Sequence, residues 1–257
     1  MPTGESQTLL RAISIVDCFS HERPELGVRE IARRLNLASS TVGRLLGTLQ
    51  KAGLVTQSPQ MRKYMLGPRV LTWAGRYTGF EGMRAVALPI LDGLRQATRE
   101  LTTLYVVDGD ERVCVERLEG PQNIRAVVGL GERLPLYAGA GGKVLLAFLP
   151  PERRRATLAR LVLARYTDKT IRNRARLERE LQAIRRQGYA TSVAERFAGA
   201  TAVAAPVRGA DGGVIAAINV SGPSDRFRGP RQARCVRLVT RAALALSRAM
   251  GGGGARP

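Results

Sequence analysis

The chain has 257 residues, 44% of them apolar, enough to bury a sizeable core in one or two domains. Three dispersed cysteines, Cys18, Cys114 and Cys235, and a single histidine, His21, argue against a disulfide framework or a Cys/His metal cluster, and no cofactor is expected. A net charge of +20 favours polyanionic partners, but residues 1–80 hold only eleven Arg or Lys against five Asp or Glu, so the charge alone locates no site.

The first ten residues, MPTGESQTLL, have neither the basic segment nor the apolar run of a secretory signal. No stretch approaches the roughly 18 apolar residues of a membrane span. A cytoplasmic protein with no membrane partner is expected.

Leu9, Ala12, Ile13 and Val16 predict a first amphipathic helix, followed by a loop from His21 to Leu26 that contains Pro24. Leu26 to Gly53 then reads as two short helices joined by a tight turn. Val28, Ile31, Ala32 and Leu35 fall at i, i+3, i+4, i+7, and Val42, Leu45, Leu46 and Leu49 repeat that spacing. Asn36, Leu37 and Ala38 leave a helix-turn-helix corner, and Ser39, Ser40 and Thr41 supply hydroxyls to the second helix's first turn. With the apolar positions inward, Ser40, Gly43, Arg44, Gly47 and Lys51 face outward, a set of short hydroxyls and long donors suited to a major groove. Two β-prone runs, Leu54 to Thr56 and Lys63 to Leu66, follow around a polar turn with Arg62 and Lys63 near its tip, which reads as a wing.

The segment REIARRLNLASSTVGRLLGTLQKAGLV, with KYMLGPRVL after it, resembles the winged helix-turn-helix of IclR-family transcriptional regulators. The resemblance implies a double-stranded DNA operator as partner, read by Ser39, Ser40, Thr41, Gly43, Arg44 and Lys51, with Arg62 and Lys63 from the wing. Gly43 departs from the family, which usually carries a larger side chain there. It and Gly47 are weak helix formers, read either as permitting close approach to DNA or as drift at exposed positions.

Pro68 to about Glu81 predicts a helical linker with Val70, Trp73, Ala74 and Tyr77 on one face and Trp73 as a packing anchor. A helix from Ala85 to Leu101 precedes two strand-like runs closed on Asp108, Gly109 and Asp110, and Arg125 to Val128 offers another strand. A glycine-rich loop then runs into a helix that stops at Pro150 and Pro151. Helices are expected near Glu152 to Leu163 and Arg174 to Gln187, strands at Thr201 to Arg208 and Val214 to Ser221, and a last helix from Arg231 to Met250. Helices mixed with antiparallel-prone strands indicate an α+β fold.

Gly139 to Lys143 has the glycine density of a phosphate loop, but a Walker motif needs Gly at position 137, where Tyr137 sits, and Ser or Thr at 144, where Val144 sits. With no GxSxG and one histidine, no enzyme is expected. The runs RLPLYAGAGGKVLLAFLP, LQAIRRQGYA and VAAPVRGADGGVIAAINVSGP are similar to the IclR effector-binding domain. That resemblance implies a small-molecule effector, commonly a carboxylic or aromatic acid. Its polar contacts would come from the Ala140 and Gly141 backbone, Ser192, Asn219 and Ser221, with Ala126, Leu134, Ala200 and Ala202 beside them. Ser192 and Ala202 stand where the family often has an acid and a cysteine.

The expected organisation is a winged helix-turn-helix at 5–67, a helical linker at 68–84, a GAF-like α/β effector-binding and oligomerisation domain at 85–250 and a flexible tail at 251–257. Self-association to a dimer or tetramer follows from the resemblance, with the amino-terminal part contributing. The alternative is a DNA-binding regulator whose carboxyl-terminal domain only oligomerises.

Overall fold

The computed structural model describes residues 5–20, 23–58, 61–76, 81–122 and 128–252. Contacts divide the chain into two units, Met1–Gly79 and Phe80–Pro257.

The first unit contains α1 (Gln7–Asp17), α2 (Val28–Leu35), α3 (Ser39–Lys51), the hairpin β1 (Val55–Gln57) and β2 (Tyr64–Leu66), and α4 (Arg69–Arg76). At the start of α2 the Glu30 carboxylate accepts the Gly27 N–H at 2.6 Å, the half of a capping box that a glycine N-cap allows. Asn36 ends that helix in the left-handed region (φ 51), and the Leu37 N–H reaches back to the Ala32 carbonyl at 2.9 Å. The chain thereby reverses in three residues, and Val42, Leu45, Leu46 and Leu49 are buried against Ile31 and Ile15 as their spacing predicts. Leu26 pairs with Tyr64, tying the loop before α2 to the wing. Gly67 is required where the hairpin returns: a Cβ there would lie 2.3 Å from the Gly53 carbonyl oxygen.

The face of α1 differs from expectation. Leu9 and Ile13 are exposed, and Ile15 is fully buried. Ala12, Ile15, Val16 and Phe19 also fall at i, i+3, i+4, i+7, and this second stripe is the one the unit buries. Trp73 is likewise not a packing anchor within the unit: it is half exposed, with the Arg69 guanidinium 5.5 Å from its ring centroid. The Ala74 side chain and Tyr77 lie outside the described residues.

The second unit is built on a six-stranded antiparallel sheet in the order β5-β4-β3-β8-β7-β6. Its strands are β3 (Leu101–Asp108), β4 (Glu111–Leu118), β5 (Arg133–Pro135), β6 (Ala190–Val193), β7 (Ala200–Arg208) and β8 (Val214–Pro223). Helices α5 (Glu81–Thr98) and α9 (Pro230–Ala249) cover one face, burying Leu91, Val239 and Leu246 against Leu104, Val203 and Ile218. On the other face lie α6 (Ala140–Phe148) and α8 (Arg174–Gln187), packed over Tyr105, Cys114, Ala204 and Ala217, and α7 (Pro151–Arg160) packs on α6. Alternation along β3, β7 and β8 sends odd and even positions to opposite cores.

The fold is α+β, with an amino-terminal winged helix-turn-helix. Several elements differ in detail. Leu101 opens β3 and does not end α5, while β5 and β6 were not anticipated. The strand expected at 125–128 falls outside the described residues except for Val128, which is buried and not in a strand. Gly251 and Gly252, expected to be flexible, are docked: Gly251 bridges Gly209, and the Gly252 N–H donates to the Ser247 carbonyl at 2.8 Å. No helix among the described residues is long and apolar enough to cross a membrane.

Candidate DNA-reading and ligand-binding sites

The outward face of α3 carries the residues the sequence singles out. Ser39, Ser40, Arg44 and Lys51 are exposed, while Thr41, Gly43 and Gly47 are partly so. Ala38 occupies the N-cap with no side-chain hydrogen bond, so the first-turn amides keep their unsatisfied donors and the positive end of the helix stays open to an anion. A Cβ at Gly43 or Gly47 would meet nothing within 4 Å, so no internal packing demands either glycine. In the wing, the Ser58 N–H donates to the Lys63 carbonyl at 2.8 Å and Arg62 takes a left-handed φ of 50, which leaves Arg62 exposed at the turn.

In the second unit a cleft of about 480 Å³, measured out to its open mouth, lies between the start of α6 and the sheet face beneath it. Of the positions the sequence singles out, Ala140, Ser192, Ala200, Ala202, Asn219 and Ser221 line it. Asn219 and Ser221 stand two apart on β8 and are nearly buried, and Asn219 Nδ2 donates to Thr103 Oγ1 at 3.1 Å. Two expected positions do not line the cleft. Leu134 is fully buried in the core from β5, paired with Arg112, and Gly141 is turned toward the Tyr105 ring, 2.8 Å from where its Cβ would be. Ala126 lies outside the described residues.

Sequence reasoning missed the charged and aromatic part of the lining: Tyr105, Arg112, Glu195, Arg196 and Phe197. Nothing in periodicity distinguishes Arg112 from the solvated charges of a hairpin. Yet it is 4% exposed, and its Nη1 donates to the carbonyls of Pro135 and Ala138, the latter at 2.8 Å. Burial pulls its guanidinium below the usual range, with Tyr105 opposing and Arg196 adding to the shift. Behind it Lys143 is buried and donates to Glu195, Glu180 and the Thr191 carbonyl, and Glu195 also accepts the Gly139 N–H at 3.0 Å. The glycine-rich run thus starts a helix whose lysine is consumed internally, consistent with the rejected phosphate loop. No group of residues able to hold a metal ion is present among those described.

A winged reader helix joined in one chain to an α+β domain with a polar-lined cleft defines the class of transcriptional regulators. Residues 8–59 match the IclR helix-turn-helix domain, and residues 76–248 match the bacterial transcriptional regulator IclR C-terminal domain. The chain belongs to the IclR family of transcriptional regulators. It is 35% identical over 245 residues to the HTH-type transcriptional regulator XynR of Escherichia coli (strain K12), covering 95% of this chain and 97% of that protein. The repressor AllR of the same strain is 30% identical over 246 residues, 96% of this chain and 91% of its own length. Among solved structures, an IclR homolog complexed with 4-hydroxybenzoate from Microbacterium hydrocarbonoxydans aligns with a TM-score of 0.82 at 28% identity, over 96% of this chain and 100% of that one. The Thermotoga maritima IclR aligns at 0.74 and 29% identity, over 95% and 98%.

Proposed function

We propose that this chain is a one-component cytoplasmic regulator, not an enzyme, that binds a palindromic operator as a homodimer or dimer of dimers and responds to a small carboxylic or aromatic acid. Residues 5–67 are the reader, 68–84 the linker and 85–250 the sensor. Ser39, Ser40, Thr41 and the uncapped amides of α3 take phosphate, Arg44 reads a base edge, Gly43 and Lys51 face the groove, and Arg62 and Lys63 contact DNA from the wing. Apolar side chains left uncovered on α1 and α4, including Leu9, Ile13 and Leu71, support self-association.

The observation that carries the sensor reading is the convergence of Ser192, Asn219 and Ser221 with the start of α6 in one cleft walled by Tyr105 and Phe197. Polar groups that converge in a cleft beside aromatic and small apolar side chains are what a small-molecule site offers. Small residues at 200 and 202 leave space for a ring, and the relative solved with 4-hydroxybenzoate favours an aromatic acid. Footprinting on the DNA flanking the chain's own gene tests the reading. A protected inverted repeat is expected, and uniform protection at all sequences would contradict it.

A further inference from the structure

Arg112 is a cation held at the end of a helix that is already positive. Its guanidinium lies against the first turn of α6, in a notch left by two glycines: a Cβ on Gly139 would sit 3.0 Å from Nη2, and one on Gly142 would sit 2.2 Å from Nη1. The glycine-rich run therefore accommodates a guanidinium. The Tyr105 ring stacks on it at 5.0 Å.

None of these contacts neutralises the charge. No described carboxylate forms an ion pair with Arg112, and its buried Nε has no hydrogen-bond partner. The two acids nearby are engaged elsewhere: Glu195 by Lys143 and the Gly139 N–H, and Glu132 by Arg196 and the Gly129 N–H. Arg196 lines the same cleft and its Nε is also buried without a partner. Arg196 has Glu132 as its ion-pair partner, so Arg112 is the guanidinium of this cleft left without a described carboxylate, and a buried charge lacking a counter-ion is strongly unfavourable. The opposite wall has another character. Asn219 Nδ2 commits one of its two N–H donors to Thr103 and its Oδ1 is left as an acceptor, so this wall offers uncharged donors and acceptors that suit a hydroxyl.

We propose that Arg112 is the specificity-determining residue of the cleft, its guanidinium pairing with the carboxylate of the effector while the Ser192, Asn219 and Ser221 wall receives its neutral polar end. This assignment rests on the cleft being the effector site, and it fixes which end of the effector points where.

Calorimetry on the full chain with matched probes tests it: benzoate and benzamide, 4-hydroxybenzoate and 4-hydroxybenzamide, lactate and lactamide. Each acid that binds is expected to exceed its amide by on the order of tenfold or more. Arg112→Met erases that ratio while keeping the amide's affinity, and Arg112→Lys retains part of it. Arg112→Gln replaces the methionine variant if that one fails to fold. Equal binding of acid and amide to the wild type, or a ratio that survives in Arg112→Met, overturns the assignment and leaves the effector site standing. Binding of no probe overturns both.

Discussion

Lys143 donates from Nζ to Glu195 Oε1 at 2.5 Å, with the lysine side chain only 1% exposed. Through its other oxygen the same carboxylate accepts the Gly139 N–H, so one ion pair fixes the start of α6 against the loop after β6. Removing the lysine leaves Glu195 buried without a cation, which costs about 3 to 5 kcal/mol for such a pair. Lys143→Met is expected to lower the urea midpoint accordingly, followed by circular dichroism. Glu195→Gln should cost less, because Lys143 keeps Glu180 and the Thr191 carbonyl. Equal small losses in both variants would contradict this order.

Burial pushes the thiols of Cys114 and Cys235 up to about 12, from 9.0. Since the folded pKa lies above the unfolded one, the folded state holds both protons more tightly. Their stabilisation is fully present below pH 9 and is lost as pH rises through about 12. Each thiol adds a slope of about 1.4 kcal/mol per pH unit in that window. A Cys114→Ala/Cys235→Ala variant should therefore lose less stability between pH 9 and pH 11. An unchanged slope would show that other groups govern alkaline unfolding.

The reader was more legible in the sequence than the sensor. Val42, Leu45, Leu46 and Leu49 announce the buried stripe of α3, and Asn36 to Ala38 announce its corner, because helical spacing and turn chemistry are local. In α1 two overlapping stripes compete, Leu9/Ile13 and Ile15/Phe19, and only tertiary packing selects the second. The three-residue β5 and four-residue β6 are too short for a periodic signal. Asn219 and Ser221 came from the family resemblance, since two polar residues two apart on a strand equally fit strand-end hydrogen bonding, whereas Arg112, Glu195 and Arg196 meet in the cleft from distant segments. Nothing in spacing tells Arg112 from Arg133, which forms exposed ion pairs with Asp108 and Glu111.

Gly43 and Gly47 cost α3 helix stability with no packing need for them. Replacing each by alanine should stabilise the unit by about 0.5 to 1 kcal/mol. If the glycines serve close approach to DNA, the same variants bind the operator more weakly despite being more stable. Melting temperature and fluorescence anisotropy together decide it, and unchanged or tighter binding would assign the glycines no role in recognition.

Arg44 projects from the exposed side of α3, one turn beyond Ser40. Loss of a bidentate contact to a guanine edge costs about 1 to 3 kcal/mol and relaxes specificity at one position. Arg44→Ala should therefore weaken operator binding more than binding to random DNA. Equal weakening of both would make Arg44 a phosphate anchor.

Coupling between cleft and reader is the central claim, and operator affinity measured with and without ligand tests it most directly. A ligand shifts DNA binding only by its differential affinity for the two conformations, typically 1 to 3 kcal/mol, or about 5- to 150-fold in Kd. Anisotropy of the full chain on its own flanking DNA, titrated with aromatic and short aliphatic acids, should show such a shift for at least one acid. Asn219→Val/Ser221→Val should abolish the shift and leave ligand-free DNA affinity intact. An operator affinity that no acid alters, or a response that survives in the double variant, would contradict the account.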